Sequence, residues 1–238
     1  MATCLVVGLP FLWVLLSAFK APEQLNDPGA IVFRPTLENW REVVDGDVLG
    51  SAGHSIVVAV VTVGLALLVG TPGAYAISRF GAGGSATRFG ILLSQVMPPA
   101  VLVVPLFLVA FDLGARDTYQ AIIVAHLTFV VPVVTWFLIG FFDAVPRSYE
   151  EQAMIDGYGR FGAFGFVLSW NDLFYALILA GGNTETLPVS IAGFNTFRGV
   201  ELGAMCAAIL VSVVPVMVAC FFVQRRLVRG LSGGGLKY

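Results

Sequence analysis

The sequence predicts an all-α membrane protein of about six transmembrane helices, and three observations predict it. Hydrophobic residues make up 58% of the 238 and charged residues only 12%, about half the charge of an ordinary soluble domain. The mean hydropathy is +0.88. The apolar residues are gathered into six runs of roughly twenty, the length a helix needs to cross about 30 Å of hydrocarbon. A net charge of −2 with no basic patch gives no sign of a nucleic-acid partner. Cys4, Cys206 and Cys220 all fall inside apolar runs, with neither a disulfide framework nor metal-ligand spacing.

In chain order, the first run extends from Thr3 to Phe19 and ends at Lys20. It has no basic leader and no small-x-small cleavage site, so it reads as a retained span. Residues 20–52 form a polar, turn-rich external loop. The second span, Gly53 to Ser78, carries Gly70-Thr71-Pro72-Gly73 as an expected kink. A glycine-rich connection from Arg79 to Arg88 leads to the third span, Phe89 to Phe111, which carries Pro98, Pro99 and Pro105. After a turn at Asp112 to Thr118, the fourth span covers Tyr119 to Phe142, interrupted by Pro132. A polar stretch occupies residues 143–164, and the fifth span is expected from Phe161 to Gly181. Gly203 to Val223 is the sixth span, and residues 224–238 form a basic tail.

The polar stretch after the fourth span is the most informative. Ser148 and Glu151 have the spacing of a capping box, whose hydroxyl and carboxylate satisfy the free amides that open a helix. Gly157 suits the left-handed conformation that closes one. The intervening two turns are too charged to lie in lipid. Eight Lys and Arg residues lie on this side of the membrane and five on the other, so the positive-inside rule places the segment and the C-terminus in the cytoplasm.

Tyr149-Glu-Glu-Gln-Ala-Met-Ile-Asp-Gly157 resembles the coupling loop of permease subunits in binding-protein-dependent ABC importers. The likeness extends along the chain. Pro10 to Lys20, Phe33 to Trp40, Tyr75 to Arg79, Met97-Pro-Pro, Leu113-Gly, Trp170-Asn-Asp172, Thr186-Leu-Pro188 and Gln224-Arg-Arg with Arg229-Gly-Leu follow the order of the carbohydrate branch, close to the second permease subunit of the maltose importer. The resemblance implies a type I importer permease fold in a bacterial or archaeal plasma membrane. It implies that Glu150, Glu151, Ala153, Met154, Asp156 and Gly157 contact an ATPase subunit. The implied partners are a second homologous permease, two cytosolic ATPase subunits that bind ATP and magnesium, and an external solute-binding protein delivering a sugar-like substrate.

Gln152 and Tyr158 depart from the family, which has small residues there, and His54 stands where asparagine is usual. The Leu-Pro half of the coupling loop is absent. A segment is therefore expected to be missing between Phe164 and Gly165, either by deletion or by loss from the numbering.

No cofactor site is expected in this chain, since no Gly-x-x-x-x-Gly-Lys-Ser/Thr phosphate loop occurs. Nor is an enzyme expected, since no serine keeps company with a histidine and an acid at nucleophile spacing. Asp172 is the one carboxylate deep in an apolar run. Asn171 and Asp172 are candidates for the translocation path, where hydroxyl-rich ligands need donors and acceptors; the competing reading is a helix–helix hydrogen bond. His126, in mid-span, reads first as an interhelical hydrogen bond. A secondary transporter, the rival class, should show internal repeats with paired broken helices, and none is apparent.

Overall fold

In lipid an unpaired backbone amide has no water to turn to, so long apolar runs close their hydrogen bonds internally as helices. The structure, a computed structural model, describes residues 2–25, 33–144, 165–166, 168–196 and 199–232. Three described helices are long and apolar enough to cross a membrane singly: α4 (Val48–Phe80), α7 (Tyr119–Ala144) and α10 (Leu202–Ser232). The apolar α1 (Ala2–Ser17) is shorter, and two small helices follow it, α2 (Pro22–Leu25) and α3 (Glu38–Asp45).

The third apolar run is not the single helix its composition suggests. It is built as α5 (Gly84–Val96) and α6 (Pro99–Asp112), bent by 87° at Met97-Pro98. The pair raises the number of described spans to four if it crosses as one. By contrast, Pro72, Pro105, Pro132 and Pro215 lie inside continuous helices, so the interruption expected at Pro132 does not appear and the chain stays helical through Gly70–Gly73. The expected fifth span is also broken. Residues 165–166 and 168–170 are helical, the chain then turns at 171–173, and α8 (Phe174–Leu179) follows. The sixth helix runs past its expected end into the basic tail, to Ser232.

The described residues form two compact units. One comprises residues 1–55 and 185–217. Here the Asn39 amide ties α3 to the end of α1, donating to the carbonyls of Ala18 at 3.1 Å and Lys20 at 2.8 Å. Gly203 opens α10 against that same amide, and a Cβ there would collide with it. Ser55 Oγ accepts from the Leu187 amide at 2.7 Å, fixing α9 (Leu187–Gly193), which leads to a two-stranded hairpin, β1 (Asn195–Thr196) and β2 (Gly199–Val200). The His54 ring lies 3.0 Å from the carbonyl of Glu185 through Nδ1.

The other unit holds residues 56–184 and 218–238. Two apolar layers join its helices. In one, Val58, Val103, Ala110, Ile122, Ala125, Tyr175 and Leu179 are buried together; in the other, Ala66, Ala74 and Ile77 of α4 meet Val130, Val134, Leu138 and Ile139 of α7. Small residues bring the backbones close, as is usual where lipid gives no hydrophobic drive to association. A Cβ on Gly70 would stand 2.8 Å from Thr135 Oγ1.

The turn between α6 and α7 is closed by Asp117, whose φ of 55° is tolerated by a short polar side chain. Its carboxylate accepts from the amides of Gly181 (2.8 Å) and Asn183 (3.2 Å), from Asn183 Nδ2 (2.8 Å) and from Thr184 Oγ1 (2.7 Å). Desolvation pushes the carboxyl up, but the donors from Thr184, Asn183 and Gly181 outweigh it and hold the group below its ordinary value of 3.8. A depressed carboxyl contributes stability that is present above the unfolded value and lost as pH falls through the folded one. Asp117→Asn should therefore lower Tm by about 2–4 °C at pH 7, the effect of one partly exposed hydrogen-bond set worth about 1 kcal/mol. Its deficit against the native chain should shrink below about pH 4. An equal deficit at pH 3 and pH 7, measured in detergent, would contradict this account.

Candidate functional site

The break in the fifth run is organised around Asp172. Its Oδ2 accepts from the amides of Tyr175 at 3.2 Å and Ala176 at 3.3 Å, satisfying donors that open α8. The same oxygen lies 3.0 Å from His126 Nε2 of α7. That approach is a close contact rather than an aligned hydrogen bond, since Nε2 has no partner of hydrogen-bonding geometry. The other ring nitrogen, Nδ1, is 2.7 Å from Ser169 Oγ, which supplies the interhelical hydrogen bond expected of His126.

The surroundings are apolar and aromatic. His126 and Ser169 are buried. Tyr175 is buried and stacks on Phe129 at 5.5 Å, and the Phe129 ring is also 5.5 Å from that of His126. Trp170 is buried against Phe166 at 5.8 Å. Asp172 is thus turned into the protein, with 11% of its side chain exposed, whereas the neighbouring Asn171 is exposed. Of the two path candidates, only Asn171 presents itself to an exterior. Side-chain-to-backbone bonding of this kind competes with helix continuation, and it explains why an apolar run breaks at Asn171–Leu173.

A second polar group lies where α4, α5 and α7 meet. Asp143 Oδ1 accepts from Ser78 Oγ at 2.5 Å and from Arg88 at 3.2 Å, and Oδ2 accepts from Arg88 at 2.7 Å. Tyr75 and Phe142 pack edge-to-face alongside, 5.4 Å apart. In the sequence, Arg88 and Asp143 stand only as charged residues at span ends. Each does flank an apolar run, and that was the available signal; a separation of 55 residues hid the pairing. Glu150, Glu151, Ala153, Met154, Asp156 and Gly157 lie outside the described residues, as does the junction at Phe164.

Residues 63–168 match the family described as binding-protein-dependent transport system inner membrane component. The chain is 32% identical to the trehalose transport system permease protein SugB of Mycobacterium tuberculosis, over 98% of this chain and 94% of that protein. It is 30% identical to the inner membrane ABC transporter permease protein YcjP of Escherichia coli, over 100% of this chain and 94% of that one. Among solved structures, a chain of a bacterial ABC transporter that imports the acidic polysaccharide alginate shares the fold with a TM-score of 0.69 at 18% identity, covering 94% of this chain and 92% of its own. The alignment with YcjP runs to 263 positions. All 238 residues of this chain are included, so at least 25 positions of the relative have no counterpart here. The chain belongs to the inner membrane components of binding-protein-dependent transport systems, as a permease of the carbohydrate type.

Proposed function

We propose that this chain forms half of the translocation pathway of an ATP-driven importer for a sugar or related polyol. It pairs with a second, homologous permease, two cytosolic ATPase subunits that hold ATP and magnesium, and an external solute-binding protein. The observation that carries this reading is the relationship over almost the whole chain to a permease named for trehalose transport. The segment from Glu150 to Gly157 is the ATPase contact. Ala153 and Met154 enter the partner's groove, Gly157 ends the helix, and Glu150, Glu151 and Asp156 cap it or pair with basic groups. The segment and the C-terminus face the cytoplasm, by the excess of basic residues on that side. The same reading puts the missing positions near the Phe164–Gly165 junction, because the Leu-Pro half of the motif is what the sequence lacks there.

Closure of the ATPase dimer pushes on this segment, the helices rock outward, and the binding protein releases solute into the opened cavity. Hydrolysis resets the inward state. Within the path, Asn171 supplies a donor and an acceptor for sugar hydroxyls, and Asp172 serves as its positioning residue by anchoring the broken run to His126. Broken helices are a recurrent way of exposing polar groups inside a transporter.

Reconstitution of the four-part complex in proteoliposomes is the test. Uptake should require ATP, the ATPase subunits and the binding protein together; uptake by this chain without them would overturn the reading. Asn171→Leu should lower sugar uptake about 10-fold, the loss of one hydrogen-bonded hydroxyl, with ATP hydrolysis maintained. Uptake at the native rate would remove Asn171 from the path.

A further inference from the structure

We propose that Ser78, Arg88 and Asp143 form a latch that passes movement of the 150–157 segment into the transmembrane helices, a positioning role that rests on the coupling reading given above. Asp143 is the penultimate residue of α7, a few residues ahead of the segment in sequence. Its single carboxylate gathers three helices: Ser78 comes from the last turn of α4 and Arg88 from α5. The guanidinium engages both carboxylate oxygens, so the contact fixes an angle as well as a distance. A load arriving at the end of α7 is therefore shared at once with α4 and α5. Beneath the ion pair, Ile91 of α5 packs against the buried layer that holds Leu138 and Ile139, so the two helices shift together. The chain continues from α5 into α6 through the bend at Met97-Pro98.

The ion pair is too wet to be a major source of stability. Its side chains are 37% and 40% exposed, and such pairs add little to the fold. A bidentate group tying together three helix ends, yet contributing little to folding, is suited to setting geometry. Its loss should leave an assembled complex whose stroke is poorly transmitted.

The experiment uses the complete reconstituted complex and three readouts: solute imported per ATP hydrolysed, basal ATP hydrolysis without binding protein, and cross-linking of Ala153→Cys to the ATPase subunit. Asp143→Asn and Arg88→Gln should each lower solute imported per ATP at least about 5-fold, the low end of ordinary coupling free energies, with basal hydrolysis and cross-linking unchanged. The exchanged pair Arg88→Asp with Asp143→Arg should restore at least about half of the native ratio, because the fork is rebuilt in reverse. A native ratio in the single variants overturns the latch while cross-linking keeps the coupling reading intact. Loss of assembly in the single variants overturns it too, by making the contact merely structural. Absence of the cross-link in the otherwise native complex defeats the coupling reading and the latch with it.

Discussion

Asp172→Ala should destabilise the protein by about 3 kcal/mol, more than any surface change, and lower its Tm by roughly 6–12 °C. The reason lies in what the substitution leaves behind. His126 is fully buried, and Asp172 is the group facing its Nε2 at 3.0 Å. Take the carboxylate away and the buried ring loses the polar group that stands against Nε2 at 3.0 Å, with apolar side chains in its place. The amides of Tyr175 and Ala176 lose their acceptor as well, adding about 1 kcal/mol, the usual worth of a helix-opening bond. His126→Leu with Asp172→Ala removes both members of the pair and should recover most of the loss, leaving mainly the deficit of those amides. Thermal unfolding of the purified protein in detergent measures all of this. A native Tm for Asp172→Ala, or a double variant as poor as the sum of its parts, would show that the two groups do not depend on each other.

The all-α membrane character was legible because lipid imposes one requirement everywhere: about twenty apolar residues for each crossing. The breaks within the apolar runs were not legible from proline content. Pro72, Pro105, Pro132 and Pro215 each remove one amide, and the helix passes through them. Met97-Pro98-Pro99 differs because a residue before proline is pushed out of the helical region. Met97 precedes one proline and Pro98 another, so both take extended ψ values, 122° and 134°. Two consecutive extended residues turn the chain by 87° where one proline alone does not. The doublet, rather than the proline count, was the signal. At the candidate site, Asn171 and Asp172 were conspicuous as polar residues in an apolar run. Which of them faced inward depended on His126, 46 positions away, and no spacing rule reaches that far. The coupling segment was legible only through its likeness to a family, because two turns of polar helix carry too little pattern to specify a partner.

Gly165→Leu should be nearly as damaging as the loss of Asp172, and through packing alone. Gly165 is buried where the fifth run meets the middle of α4 and α7. A Cβ there would lie 3.3 Å from a methyl of Val134 and 3.4 Å from methyls of Val130 and Val63. Those valines are β-branched and stiff at χ1, so they have little freedom to retreat. Alanine asks them to yield by a few tenths of an ångström and should cost little. Leucine brings three further carbons into a filled space, with an overpacking penalty of about 1–3 kcal/mol and a Tm loss of roughly 2–12 °C. Gly140 of α7 is the control, since nothing lies within 4 Å of a Cβ placed there. Gly140→Ala should be neutral or stabilising by up to about 1 kcal/mol, the ordinary gain from replacing glycine inside a helix. If Gly165→Leu unfolds no earlier than Gly140→Ala in the same detergent, the close approach at Val63, Val130 and Val134 is not what holds the fifth run in place. If it unfolds early while Gly165→Ala does not, side-chain volume at that contact is the quantity that decides, and the run is seated by the absence of a side chain rather than by any bond it makes.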